Sequence, residues 1–436
     1  MTKSRIRSGN TREDAMLHQL QRETFDYFLK ESNPANGLVK DKSKRGAPGS
    51  VAAVGLALSA YPVGVERSFI SRAQAVERTL ATLQFFWNST QGMGMEATGY
   101  QGFYYHFLSM RTGRRVWKCE LSTIDTALLL AGALLAASYY DRNTSQEREI
   151  RDLADGLYLR ANWQWAQAGA AAVNHGWKPG RGHGFLKSRW EGYNEALLLY
   201  ILGLGSPTHP LPEESYKAWA SGFQWEDHFG YKYLYAGPFF IHQLPQVWLA
   251  LRGIQDDHMR EKNTDYFENS RIATIVQQQY AIENPQKFAG YSELCWGITA
   301  SNGPGKGTRR IDGTRRNFLG YAARGVPHGP DDGTIAPWAA VTSLPFAPEI
   351  VLPTVRHFDH LRLRENMPYG FKASFNPTCC IKGNANGWES PWHYGINQGP
   401  VVLMIENYRT GLIWKLMQRC PYIVEGLRRA GFRSRI

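Results

Sequence analysis

The chain has 436 residues, 43% hydrophobic and 20% charged, which is enough apolar material for a large buried core. Its net charge of +12 sits in scattered groups: Lys3, Arg5 and Arg7, then Arg309, Arg310, Arg315 and Arg316, then Arg428, Arg429, Arg433 and Arg435. That scatter lacks the basic stripe of a nucleic-acid binder, and the longest apolar run, 124–140, is interrupted by Asp125 and falls short of membrane-spanning length.

In chain order, 11–29 reads as an amphipathic helix with Leu17, Leu20, Phe25 and Phe28 on one side. Asn33 to Gly37 breaks it, and an extended loop with one acid, Asp41, follows. Residues 50–61 are small and apolar, an inner-helix candidate; 71–87 are amphipathic. Between 92 and 117, Phe103-Tyr104-Tyr105 and Val116-Trp117 flank a turn at Arg111-Thr112-Gly113, which predicts a short β-hairpin. Ser122, followed three residues later by Asp125, resembles a capping box opening the apolar segment 126–140. Residues 146–165 are amphipathic again.

The most informative stretch is 190–219, WEGYNEALLLYILGLGSPTHPLPEESYKAW. An aromatic, glycine-rich approach (Trp190, Gly192, Tyr193) leads to one acid, Glu195, and then to a run apolar on every side, 196–204. Such a helix belongs in the centre of a large fold, and Gly205 to Pro210 stops it sharply. Beyond it come an apolar segment kinked near Pro245 (238–251), a polar helix (265–284), a long Gly/Arg/Pro-rich loop (302–333), an apolar helix (335–344), an amphipathic one (349–363) and two closing helices (399–417 and 421–430). A loop as long as 302–333 is usually functional, and its arginines, 309–316, are expected to form a lid.

Polar amphipathic helices alternate with apolar ones about a dozen times, with slight strand signal. That pattern predicts an all-α fold, an (α/α)6 barrel of six inner and six outer helices, with a few short β-hairpins and long loops at the active-site face. No linker interrupts it, so 1–436 is expected to be a single domain with flexible basic ends near 1–10 and 431–436. The five cysteines, Cys119, Cys295, Cys379, Cys380 and Cys420, are odd in number and form no CxxC; with HExxH also missing, neither a disulfide framework nor a zinc motif is expected. The opening stretch MTKSRIRSGNTREDAMLHQL shows no signal-peptide core. It reads as cytoplasmic as written, or as periplasmic or secreted if a leader has been removed.

Inner helices of such a ring pool the acids that precede them at one face. Asp125 and Glu195 both begin apolar helices, so both are expected at one mouth. Glu195 is the candidate general acid: burial among Trp190 and Tyr193 raises a carboxyl pKa, against the pull of a helix N-terminus. A helix-start glutamate that only caps its helix is an even match for the same signal. Glu120, beside Trp117, has no capping role to explain it. Asp332, in Asp331-Asp332-Gly333, could hold a sugar hydroxyl, although Asp-Gly is first a turn signal. Glu389 lies between Trp388 and Trp392, a conceivable sugar subsite. His209 and His242 lie in or beside apolar stretches. The glycine-rich Gly303 to Thr308 lacks the spacing of a phosphate loop.

At these residues the chain resembles the glucoamylase-like (α/α)6-barrel family of bacterial endo-β-1,2-glucanases, and it is similar to the transglycosylase domain of cyclic β-1,2-glucan synthases. The segments that carry the resemblance are GLVKD (37–41), GFYYHF (102–107), ELSTIDTALL (120–129), GYNEA (192–196), SPTHP (206–210), FIHQ (240–243), WGITAS (296–301), DGTIAP (332–337), and Gly399-Pro400 with MIENYR (404–409). The resemblance implies a glycoside hydrolase cleaving β-1,2-glucan and releasing sophorooligosaccharides, with Glu195 as general acid and Glu120 or Asp125 as base or nucleophile. Substrate-binding candidates are Asp41, Tyr105, Trp190, Tyr193, His209, His242, Trp296, Asp332, Trp388, Glu389, Trp392 and Gln398. It implies no metal or organic cofactor, a poly- or oligosaccharide as partner, no nucleic acid or membrane, and a monomer or weak homodimer. The family often has acids where this chain has Ala373 and Asn397. A transglycosylase, or a glucan-binding protein that has lost its base, are therefore the alternatives.

Overall fold

The computed structural model describes residues 11–434 apart from 95, 181–183 and 312. Among them, helices alternate between an outer and an inner ring. The outer members are Thr11–Lys30, Arg72–Asn88, Ser145–Leu159, Glu213–Ala220, Tyr266–Glu283 and Pro348–His360. The inner members are Val51–Glu66, Thr123–Tyr139, Leu197–Leu204, a pair of 3-10 turns (Phe239–His242 and Leu244–Val247), Pro337–Thr342 and Gly395–Arg409. This is the (α/α)6 barrel that the alternating pattern predicts.

The physical division between the rings is side-chain size and polarity. Thr123–Tyr139 is buried along almost its whole length, and so is Val51–Glu66. These two helices can touch backbone to backbone because Gly55 and Gly132 face each other: a Cβ on Gly132 would lie 2.1 Å from the Gly55 carbonyl oxygen. Outer helices show one apolar face and are capped from solvent, as at Ser71, whose side chain exchanges hydrogen bonds with Gln74 in a capping box. Gly395–Arg409 packs back onto Val51–Glu66, so the last inner helix closes the ring against the first. Arg67 and Gln21 both reach Glu406 there, Arg67 through two bonds of 2.7 Å.

Every inner element begins at the same face. The connections that lead into them, 31–50, 89–122, 160–196, 221–238, 284–336 and 361–394, therefore gather into one mouth. Its main rigid piece is a small antiparallel sheet ordered Gly99–Tyr100, Phe103–Tyr105, Leu121–Ser122, Gly176–Trp177. The expected hairpin between 103–105 and 116–117 is replaced by this sheet. The turn at Arg111–Gly113 is instead closed one step further along, by bonds from Ser109 N–H to Arg114 O (2.8 Å) and Val116 N–H to Phe107 O (3.2 Å).

Within 302–333 a hairpin forms, Gly307–Ile311 with Thr314–Phe318. Its arginines point outward or sideways: Arg316 donates to the Gln286 and Lys287 carbonyls and Arg309 to Cys379 Sγ. The loop is braced against the rim rather than laid across the mouth by its arginines. Of the expected flexible ends, 1–10 lie outside the described residues. At the other end Arg433–Ser434 pair with Ile254–Gln255 and Phe432 is buried, while 435–436 lie outside the described residues.

Candidate active site

Glu195 sits at the foot of the mouth, at the start of an inner helix that it does not cap. Gly192, with φ +72, donates its N–H to the Trp219 carbonyl (2.9 Å) and turns the chain inward. Asn194 then tightens the turn before the helix: its Oδ1 accepts the Ala196 N–H (3.1 Å) and the Trp219 indole N–H (3.0 Å). The helix has no side-chain cap, and Glu195 precedes its N-cap, Ala196. Burial pushes the Glu195 carboxyl up to about 7, its own backbone N–H opposes this, and the charge of Asp125 adds to it. The carboxyl is thereby moved from the ordinary acid range toward neutrality, where it can hold a proton.

Asp125 comes from the neighbouring inner helix. Only half of the expected capping box forms: the Asp125 N–H donates to Ser122 Oγ (3.2 Å), while Asp125 Oδ2 faces the ring of His106, 3.7 Å from Nδ1. The same Nδ1 lies 2.9 Å from Glu120 Oε1. That hydrogen bond, against the cost of burial, holds the Glu120 carboxyl down to about 2. Burial alone would lower the His106 pKa, but Asp125, Glu120 and Asp41 together lift it to about 9. The centre therefore contains a charged histidine between two carboxylates. Asp41, half-buried, is raised by burial and by Asp125 and lowered by Lys42 and His106. Tyr321, on the loop after the 307–318 hairpin, has a 74% exposed ring and is within electrostatic reach of Glu195, Asp41 and Asp125.

The structure thus brings Glu195, Asp125, Glu120 and Asp41 to one mouth. Tyr193, two residues before Glu195, is half-buried, its ring packed against Trp219, Phe223, His242 (centroids 5.2 Å) and Tyr266. His242 is buried and lowered to about 4 by burial, so it is a neutral support behind Tyr193. Trp388 and Glu389 pair with Phe375–Asn376 on the same side of the barrel. Glu389 accepts from Asn384 (3.1 Å) and Asn386 (3.3 Å), and Trp392 stays half-buried beside them.

Six other candidates belong to the framework. Trp190 is buried, donates its indole N–H to Thr123 Oγ1 (3.0 Å) and has His175 stacked on its face (3.8 Å), which leaves no ring for a sugar there. Trp296 is fully buried in the second apolar cluster. Tyr105 is buried under Arg115, whose guanidinium lies 4.7 Å above its ring. Gln398 is buried and donates to the Phe371 carbonyl (3.1 Å). His209 follows the far end of Leu197–Leu204, away from the mouth. Asp332 makes a buried, two-bonded pair with Arg324 (2.7 and 2.8 Å) and also accepts the Leu319 N–H, so its oxygens are committed to holding the long loop.

Three mouth residues had no place among the candidates: His106, Trp117 and Tyr321. His106 stood inside a recognised segment and needed only its pairing with Glu120 to be seen. Trp117 is 66% exposed, has φ +58, and packs on Phe107, which in turn stacks on His106 at 3.9 Å. A positive φ on a bulky residue is uncommon enough to mark a site, but φ is not written in the residue names.

A double ring of helices with a recessed, protonatable glutamate facing carboxylates from the adjacent loops is a glucoamylase-like (α/α)6 barrel. Residues 187–421 match the family model Glycoamylase, described as "Putative glucoamylase", and the chain belongs to that family. A Bacteroides uniformis structure with the same description is 33% identical, with 97% of this chain and 98% of that one covered and a TM-score of 0.84. The endo-β-1,2-glucanase from Chitinophaga pinensis, solved with sophorotriose and glucose, is 27% identical over 97% of this chain and 99% of that one, with a TM-score of 0.84. An exo β-1,2-glucooligosaccharide sophorohydrolase (non-reducing end) of Parabacteroides distasonis is 28% identical over 451 residues, 96% of this chain. The chain spans 58% of that relative's length.

Proposed function

We propose that this protein is a glycoside hydrolase that cleaves β-1,2-glucan internally and releases sophorooligosaccharides. The observation that carries the reading is Glu195: a carboxyl raised to about 7 with no ion-pair partner among the described residues. A general acid must hold its proton at working pH and surrender it to the leaving oxygen. Asp125 is the better base. Glu120 is held at about 2 by His106 and is a weak proton acceptor, whereas Asp125 is within electrostatic reach of both Glu195 and Asp41. The His106 cation fixes Glu120 as an anion and limits the repulsion among the acids. Trp117 and Tyr321, both exposed, offer ring surface to glucose units. The relatives named above, which act on β-1,2-glucans and their oligosaccharides, support the substrate class.

Incubation with linear β-1,2-glucan tests this. A ladder of oligomers early in the reaction is the expected result for internal cleavage, while sophorose alone would point to release from chain ends. Polarimetry of the fresh products reports inversion or retention. Rings or elongated chains would instead reveal transfer.

One observation favours a second reading, a glucan-binding protein without activity. Where the resembled family often has acids, Ala373 is 1% exposed and Asn397 borders a cavity of about 60 Å³ with Tyr321, Trp338 and Pro400. Tight binding of the glucan in calorimetry with no release of reducing ends would select it.

A further inference from the structure

A second cluster of ionisable side chains stands apart from the mouth acids. Glu226 and His228 lie on the hairpin Trp225–His228/Tyr231–Leu234, and His328 comes from the loop that leads to the fifth inner helix. Glu226 Oε2 is 2.5 Å from His228 Nε2 and 2.9 Å from His328 Nε2, and the ligand atoms of the three residues all lie within 4.8 Å of one another. The two imidazole rings cross at 74° with centroids 5.2 Å apart, so both point an Nε2 at one place. Tyr235 supports them: its ring lies 5.3 Å from His328 and 6.0 Å from His228, and its hydroxyl bonds the His328 backbone.

We infer that Glu226, His228 and His328 form a binding site for one divalent transition-metal ion of the zinc type, clasping two loops at the rim of the mouth. Two imidazole nitrogens and one carboxylate oxygen are the ligand set of open zinc sites, in which water takes the fourth position. The His328 side chain is 59% exposed, which leaves that position open to solvent. Calcium and magnesium would need six or more oxygens, and the cluster offers a single carboxylate. With metal–ligand distances near 2.1 Å, tetrahedral binding requires ligand atoms about 3.4 Å apart. Reaching that spacing from 2.5 and 2.9 Å means drawing Glu226 Oε2 back by about 0.9 Å from His228 and about 0.5 Å from His328, within reach of side-chain rotation. Each ring would then keep its proton on Nδ1 and present a bare Nε2. The spacing of the residues hides this site from sequence motifs, because His328 lies far along the chain from Glu226 and His228.

The clasp has consequences for the loops rather than for the reacting atoms. It would pin the 225–234 hairpin to the loop that carries Tyr321, Arg324 and Asp332, and so set the height of one wall.

The test uses the full chain stripped with chelator and titrated with Zn2+ by calorimetry and with Co2+ by visible absorption. One ion per chain, a Co2+ spectrum of the tetrahedral type, and a rise in thermal midpoint with Zn2+ but not with Mg2+ or Ca2+ are expected. His328→Gln, at an exposed position, should keep the metal-free midpoint of the parent. It should weaken Zn2+ binding by more than the roughly 10–100-fold that loss of a supporting group costs. The double variant His228→Ala/His328→Ala should abolish uptake. No uptake by the parent, or uptake that survives in the double variant, overturns the site. Neither readout depends on glucan cleavage, so the outcome is independent of the hydrolase reading.

Discussion

Glu195 is the residue on which most turns, and its environment makes two separable predictions. Glu195→Gln should reduce β-1,2-glucan cleavage by about 10²–10⁴-fold while calorimetric binding of the glucan survives. In the parent, kcat/KM should fall as pH rises through about 7, the value to which burial brings this acid. The same shift bears on stability. The folded pKa exceeds the unfolded value of about 4.3, so the folded state binds more protons between the two, and stability falls as pH rises across that window. The penalty is complete above about 7, and Glu195→Gln should therefore raise the thermal midpoint more at about pH 8 than at about pH 4. His106, also raised, shows the same slope with pH, whereas Glu120, held down, shows the opposite one. The histidine's contribution is whole below about 6.5 and lost as pH rises through about 9; the glutamate's is whole above about 4.3 and lost as pH falls through about 2. Histidine NMR titration of Glu120→Gln should move the His106 pKa down from about 9, part of the rise persisting through Asp125 and Asp41. That Glu195, Asp125 and Glu120 gather at one mouth could be read from the sequence, because each stands at or near the start of an apolar run. The packing of Trp190, Trp296 and Asp332 could not be read, because a residue name does not disclose what already occupies its face or its oxygens: His175, the apolar core and Arg324 do so here.

At the scale of single elements, the two glycines between the first inner helices set their separation. A Cβ at Gly132 would meet the Gly55 backbone at 2.1 Å, and one at Gly55 the Leu128 carbonyl oxygen at 2.2 Å, where no flexible side chain can yield. Gly132→Ala should destabilise by about 1–3 kcal/mol or more by overpacking, measured by denaturant unfolding. Inside the long loop, Arg324 and Asp332 are 0% and 1% exposed. Arg324→Met leaves a buried carboxylate unpaired and should cost about 3–5 kcal/mol, with faster proteolysis of 302–333 as a local readout. Long segments such as 11–30 and 123–139 could be read directly, the first because its apolar residues recur every turn and the second because it is apolar on every side. The 239–247 segment could not be read so closely: Pro245 and a short apolar run allow a kinked helix, and the chain takes two 3-10 turns instead. The strands at the mouth are two to five residues long, too short for alternation to show.

For the whole molecule, alternation of apolar and amphipathic helices was enough to predict the ring, since only a closed double layer buries so many helices on every side. Charge is a different matter. The excess of +12 gives an uncharged glucan nothing to be steered by. Turnover of linear β-1,2-glucan should therefore be nearly flat from low salt to about 0.5 M, where the Debye length has shrunk well below 10 Å. A carboxymethylated glucan, by contrast, should be cleaved faster at low salt than at high. Assays of kcat/KM across that range separate the two cases.

The seam between the first and last inner helices also fixes an order of events. Val51 to Gly64 is sheltered on one flank by a segment that leaves the ribosome some 330 residues later, as the positions of Gly395–Arg409 and Glu406 require. Until that late arrival the nascent polypeptide carries an uncovered greasy stripe and an unanswered Arg67, and at about 5–20 residues per second the wait lasts tens of seconds. Synthesis of this protein should thus place a heavier demand on holding chaperones than its finished surface would suggest.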